Sequence, residues 1–147
     1  MADLTVTVTD TITTSGRKAG AERTHTISGI NKVIQAIVAV PNASHFNLLN
    51  FGASASGLAQ AADNTLKYAR FTNTGATHPI FLTFSNDAGS PPDKYINVEI
   101  PAGCSFTLFG DSIGGGSSFT TTLNKLYRTA ARATGGDTTM EVFYATT

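Results

Sequence analysis

Three histidines, one cysteine and a few loop aspartates are the side chains of this chain best suited to chemistry. A metal site would need His, Cys, Asp or Glu at ligand spacing. His25, His45 and His78 fall in different predicted elements, and none has a His, Cys or carboxylate partner at such spacing. Each reads as a surface or turn residue. Asp87 and Asp93 flank AGSPP, and Asp111 lies in GDSIGGG. Oxygen-rich loops can hold calcium, but no D-x-D-x-D-G pattern occurs and the carboxylates are sparse.

Nucleophilic and phosphate chemistry find no better footing. No G-x-S-x-G elbow is present. Gly114-Gly115-Gly116-Ser117-Ser118 lacks the Lys-Ser/Thr of a phosphate loop and reads as a turn. Cys104, in PAGCSFTLF, has no second cysteine to pair with and reads as a small buried apolar residue near a strand start. Asn42-Ala43-Ser44 matches the glycosylation pattern, which a protein made in a cytoplasm would not meet. No catalytic, cofactor-binding or metal-binding residue is assigned, and the chain is expected not to be an enzyme and to need no cofactor.

The elements that must carry these residues are strands. In LTVTVTDTIT the apolar Leu4, Val6, Val8 and Ile12 alternate with Thr5, Thr7, Thr9 and Thr11, which predicts a strand with one dry side. The same period places Ile80, Leu82, Phe84, Ile96, Val98, Ile100, Phe106, Leu108 and Val142 inside. Turn residues punctuate the chain at short intervals, from TTSGRKAGAE to TGGD, as in all-β folds. KYARFTNTGATHPIFLTFS reads as two strands joined by a hairpin or a corner between sheets, with Pro79 at the start of the second. YINVEIPAGCSFTLF has the same form. In INKVIQAIVAV, helical spacing competes with β-branched composition, and we read a strand buried on both faces. LNKLYRTAARA fits a helix or a strand, and the two stay open. GASASGLAQAADNT reads as a long loop. The sum is a single domain over 1–147: an all-β, antiparallel, jelly-roll-like β-sandwich of about eight strands.

Composition narrows the partners. Ten basic and ten acidic residues cancel, and only 14% of residues are charged. A neutral chain has no electrostatic reason to bind nucleic acid or an anionic membrane. Low charge with abundant hydroxyl side chains suits a surface covered by other subunits. No apolar run is long enough to span a bilayer, and MADLTVTVTD lacks the form of a signal peptide.

From Lys67 to Ala145 the chain resembles a family of small structural proteins of tailed bacteriophages. The match runs KYARFTNTGATHPIFLTFSND, INVEIPAGCSFTLF and ATGGDTTMEVFYA, and ISGINKVIQAIVAVP is also similar. The resemblance implies a virion component made in the host cytoplasm and assembled as a homo-oligomer. A capsid cement or decoration protein, a trimer bound to the major capsid protein, comes first. A neck, tail or baseplate subunit comes second. Residues 1–20 would be a strand or arm touching neighbouring subunits. That strand either extends a neighbour's sheet or pairs within its own, and SGRKAGAE reads as a flexible loop beside it. From another class, a carbohydrate-binding jelly roll would need an exposed aromatic or carboxylate cluster. The chain has no Trp, and Tyr68, Tyr95, Tyr127 and Tyr144 are dispersed.

Overall fold

The computed structural model describes residues 2–50, 59–60, 66–85, 95–113 and 128–147. All its regular elements are strands. They are β1 (Ala2–Thr14), β2 (Arg17–Ile30), β3 (Lys32–Val40), β4 (Phe46–Asn50), β5 (Ala59–Gln60), β6 (Leu66–Asn73), β7 (Ile80–Ser85), β8 (Tyr95–Ile100), β9 (Ser105–Ile113), β10 (Arg128–Ala133) and β11 (Thr138–Thr146). The expected antiparallel all-β class is what forms. The strand number is higher than the expected eight or so: ten strands of five residues or more, plus the two-residue β5.

β1 and β2 form a two-stranded sheet of their own. The other two sheets have the orders β5-β4-β10-β7-β8 and β3-β11-β6-β9. Every pairing is antiparallel except β4 with β5. With β5 set aside, successive strands from β3 onward alternate between these two sheets, and only β7 and β8 are consecutive neighbours in one sheet. The chain therefore crosses between layers at almost every turn.

One apolar core joins both larger sheets. β3 and β11 contribute Val40, Met140 and Val142, and β6 contributes Leu66 and Phe71. From the other sheet come Leu48, Leu49, Ile80, Leu82, Phe84 and Ile100. Alternation selects them: in β7 the buried Ile80, Leu82 and Phe84 are separated by half-buried Phe81 and Thr83. Val98, Phe106 and Leu108 pack against this core from partly buried positions, but Ile96 does not and is about half exposed. Ile96 stands opposite Phe84 near the end of β8, which is the edge strand of its sheet among the described residues.

The corners are tied by one buried side chain. Asn73, at the end of β6, donates from Nδ2 to the carbonyls of His78 (2.9 Å) and Ile100 (3.0 Å), and its Oδ1 accepts from Gly75 N (3.1 Å). Its backbone exchanges bonds with Gly103 and Cys104. One residue thus fastens the β6–β7 corner and the β8–β9 corner. The link between β6 and β7 passes between sheets, the corner form of the two that the sequence allowed.

Three expectations need correction. The segment read as a flexible loop, SGRKAGAE, is mostly strand: only Ser15 and Gly16 form the turn, both with positive φ, as a two-residue type I′ hairpin requires. β3 is a strand but is not buried on both faces, since Val33 and Ile37 point outward and Ile37 is 71% exposed. Cys104 is exposed rather than buried, because it lies in the turn between β8 and β9 and not within the ladder. The open question over LNKLYRTAARA resolves only for 128–133, which is strand; the rest of it, most of GASASGLAQAADNT, Asp87, Asp93, the 114–118 turn and Tyr127 lie outside the described residues.

Candidate functional site

The residues singled out for chemistry stay apart. Among the described residues no group of three His, Cys, Asp or Glu comes together to hold a metal. His25 lies on β2 opposite Val6, out on the hairpin. His78 sits over the Gly135–Gly136 turn, where a Cβ on Gly136 would come within 2.6 Å of its Nε2. Its role there is packing. His45 lines a concavity.

Two surfaces stand out instead. The first is the β1–β2 arm. At its base Leu4 and Val6 of β1, with Ile27 and Ile30 of β2, pack with Tyr68, Phe143 and Ala145 on the outer face of the four-stranded sheet. From Thr7 round the turn to Thr26 every residue is exposed. Eight residues of strand beyond Val6 reach roughly 27 Å. One face of the arm is a hydroxyl ladder, with Thr7 and Thr24 bonded at 3.3 Å and Thr9 donating to Glu22 at 3.4 Å. The other carries Val8, opposite Arg23, and Ile12, opposite Ala19. The expected dry side of β1 is dry only at its base: Val8 and Ile12 are 44% and 64% exposed. A free hairpin is marginal in water. This one exposes the apolar Val8 and Ile12.

Beside the arm's base, the four-stranded sheet shows a second apolar strip. Val33 and Ile37 lie on β3, an edge strand, and are exposed. Next to them Arg70 pairs with Glu141 at 2.7 Å and lies over the Phe143 ring, while Tyr68 meets Phe143 edge-on. Arg70, with a bond from Gln35, holds the Glu141 carboxyl below its usual range.

The second surface is a groove of about 860 Å³ on the outer face of the five-stranded sheet. Ala130, on the central strand β10, forms its floor, and Arg128 and Arg132 rise on either side of it along the same face. Asn47 pairs with Ala130 from β4, and Thr83 pairs with it from β7. Phe81 stands opposite Arg132. Asn97 and Tyr95 add to the lining from β8, and Thr83 Oγ1 donates to Asn97 Oδ1 at 2.7 Å. His45 completes one end, its pKa pushed below the ordinary value by burial first and then by Arg132 and Arg128. Sequence reading missed this groove because four separate stretches of the chain each supply two or three residues. The alternation Arg128-Ala130-Arg132 was its only local trace.

No family model matches the chain, and no curated protein or solved structure is significantly similar to it.

Proposed function

We propose that this chain is a structural subunit of a tailed-bacteriophage particle, a homo-oligomer that decorates and cements the capsid. The observation that carries this reading is the arm: a hairpin that leaves the body and exposes Val8 and Ile12, with every residue from Thr7 to Thr26 exposed. In β1 the exposed Val8 and Ile12 are four residues apart on one face. In β3 the exposed Val33 and Ile37 have the same spacing, roughly 14 Å along a strand. The arm of one copy laid along β3 of a second copy brings the two pairs of apolar residues together, with Asp10 and Arg23 on the same face of the arm. Such a partner-dependent arm suits a subunit that gains its stability on assembly.

The body fits the same reading. Numbered from β3 to β11 without β5, its two sheets have the orders 1-8-3-6 and 2-7-4-5. We read this as a jelly-roll β-sandwich, an architecture used by capsid and lectin domains. Fold alone does not carry function, so the weight rests on the arm and on the resemblance of residues 67–145 to phage structural proteins. A neck, tail or baseplate subunit is the second reading, since an arm of this kind serves any ring or shell.

The test is the protein's place in the particle. Quantitative mass spectrometry of purified virions should give hundreds of copies, with gold-labelled antibody spread over the head. Label confined to the neck or tail, with six or twelve copies, would refute the cement role and favour the second reading.

A further inference from the structure

We infer that the outer edge of β3 receives β1 from the arm of a second copy as an added strand. That strand runs parallel to β3, with Val8 beside Val33, Asp10 beside Gln35 and Ile12 beside Ile37. The inference rests on the reading that the arm of one copy meets β3 of another, and it fixes which backbone groups join and in which direction.

The strands behind β3 set its edge. Thr74 N donates to Thr139 O at 3.0 Å, so Thr139 turns its backbone toward β6. Backbone groups in an antiparallel ladder change sides from one residue to the next. Glu141 and Phe143 therefore also turn to β6. Met140, Val142 and Tyr144 turn to β3, where they meet Val38, Ala36 and Ile34. Val33, Gln35 and Ile37 are left with their amides and carbonyls directed away from β11. All three residues are exposed, and among the described residues no strand lies on that side.

The arm offers the complement. Its type I′ turn pairs Thr14 with Arg17 through the backbone. By the same alternation Ile12, Asp10 and Val8 turn their backbones to β2, and Thr7, Thr9, Thr11 and Thr13 turn theirs outward. These four threonines are exposed.

Two directions can bond these edges, and they send the side chains to different faces. Antiparallel pairing sets the bonded residues side by side on one face. Threonines would then stand beside Val33 and Ile37, and Asp10 would join the face of Ile34 and Val38, which packs on the core. An unpaired carboxylate against apolar side chains is strongly unfavourable. Parallel bonds are slanted, so each outward backbone bonds the two residues that flank its neighbour. Val33 bonds Thr7 and Thr9, with Val8 beside it. Ile37 bonds Thr11 and Thr13, with Ile12 beside it. Asp10 then stays on the outer face with Arg23.

The wild-type chain should be compared dilute and assembled, by sedimentation and by amide hydrogen exchange. On assembly the amides of Val33, Gln35, Ile37, Thr9, Thr11 and Thr13 should slow by about tenfold or more, while those of Ile34, Ala36 and Val38 are protected in both states. Disulfide trapping in a Cys104→Ser background reads the direction. Val8→Cys mixed with Val33→Cys should cross-link, and so should Ile12→Cys with Ile37→Cys, because neighbouring strands about 4.8 Å apart are within disulfide reach. Val8→Cys with Ile37→Cys should not, at roughly 14 Å. Cross-links only between Val8 and Ile37 or between Ile12 and Val33, no link in either expected pair, or an oligomer in which the three β3 amides stay fast would overturn the proposal and leave the homo-oligomer standing. A monomer at every concentration would overturn both. If a cysteine variant fails to fold, exchange in the wild type decides the edge, and intermolecular methyl contacts in a half-labelled wild-type sample, Val8 with Val33 or with Ile37, decide the direction.

Discussion

Asn73 reaches the backbone of Ile100, donating from Nδ2 to its carbonyl at 3.0 Å inside the protein. The bond ties the end of β6, in one sheet, to the end of β8, in the other. Two further side-chain bonds and two backbone bonds converge on the same residue. Removing the side chain strands the carbonyl of Ile100 in a buried site. Asn73→Ala should therefore cost about 3 kcal/mol, since each unmatched buried polar group costs on the order of 1–3. Urea unfolding should show a lower midpoint with an unchanged slope. A loss below about 0.5 kcal/mol, the scale of a neutral surface substitution, would mean that the corners hold without it.

Phe84 is the aromatic centre of the shared core. It is 6% exposed, meets Phe71 edge-on at 6.4 Å and lies tilted against Phe106 at 5.6 Å. Phe71 and Phe106 belong to the opposite sheet, so Phe84 links the layers. Phe84→Ala should cost roughly 3–5 kcal/mol. Tyr95→Ala, at an exposed rim position, should change stability little. Equal losses in the two variants would contradict the assigned core.

The arm can be tested without touching the body. Gly20 lies opposite Thr11, and a Cβ there would run into the carbonyl oxygen of Asp10. Gly20→Ala should loosen the outer half of the hairpin while leaving the main thermal transition in place. Ile12→Asp and Ile37→Asp would each put a charge into the interface proposed between copies. Each should shift the protein to monomer in analytical ultracentrifugation without lowering its melting temperature. An unchanged oligomer in both variants would remove the arm from assembly.

His45 sets a pH response. Its folded pKa lies below the ordinary value of 6.5, through burial and the two arginines. The fold therefore favours the neutral ring. The stability this contributes is complete above about pH 6.5 and is lost as pH falls from there through the folded value. Between pH 7 and 5 the wild type should lose more melting temperature than His45→Asn. Parallel curves would show that the ring titrates as it does in water.

Strands that alternate and bury one face were legible in the sequence: β7, β9 and β11 each carry their core residues at period two. β2 was not, because RKAGAERT has no apolar period. Pairing with β1, not burial, makes it a strand. The outward faces of β3 and β8 misled for the opposite reason. Val33, Ile37 and Ile96 are apolar, and period alone cannot tell a residue that meets the core from one left on the surface. The fastening role of Asn73 was hidden as well, since the carbonyls it satisfies lie 5 and 27 residues away.

The type I′ turn at Ser15 and Gly16 joins two strands that are in register from Leu4 to Thr14. Both strands leave and rejoin the body at the same place. The hairpin is thus a ruler whose length can change without disturbing the fold. Side chains swap faces at each step, so the graduations come in twos. Inserting two residues in each strand would move the tip out by roughly 7 Å and keep threonine on one side and valine or isoleucine on the other. Inserting one in each would turn the stripe beyond the insertion to the wrong side. Chains of this design that bridge wider or narrower gaps should differ in their arms by even numbers of residues per strand.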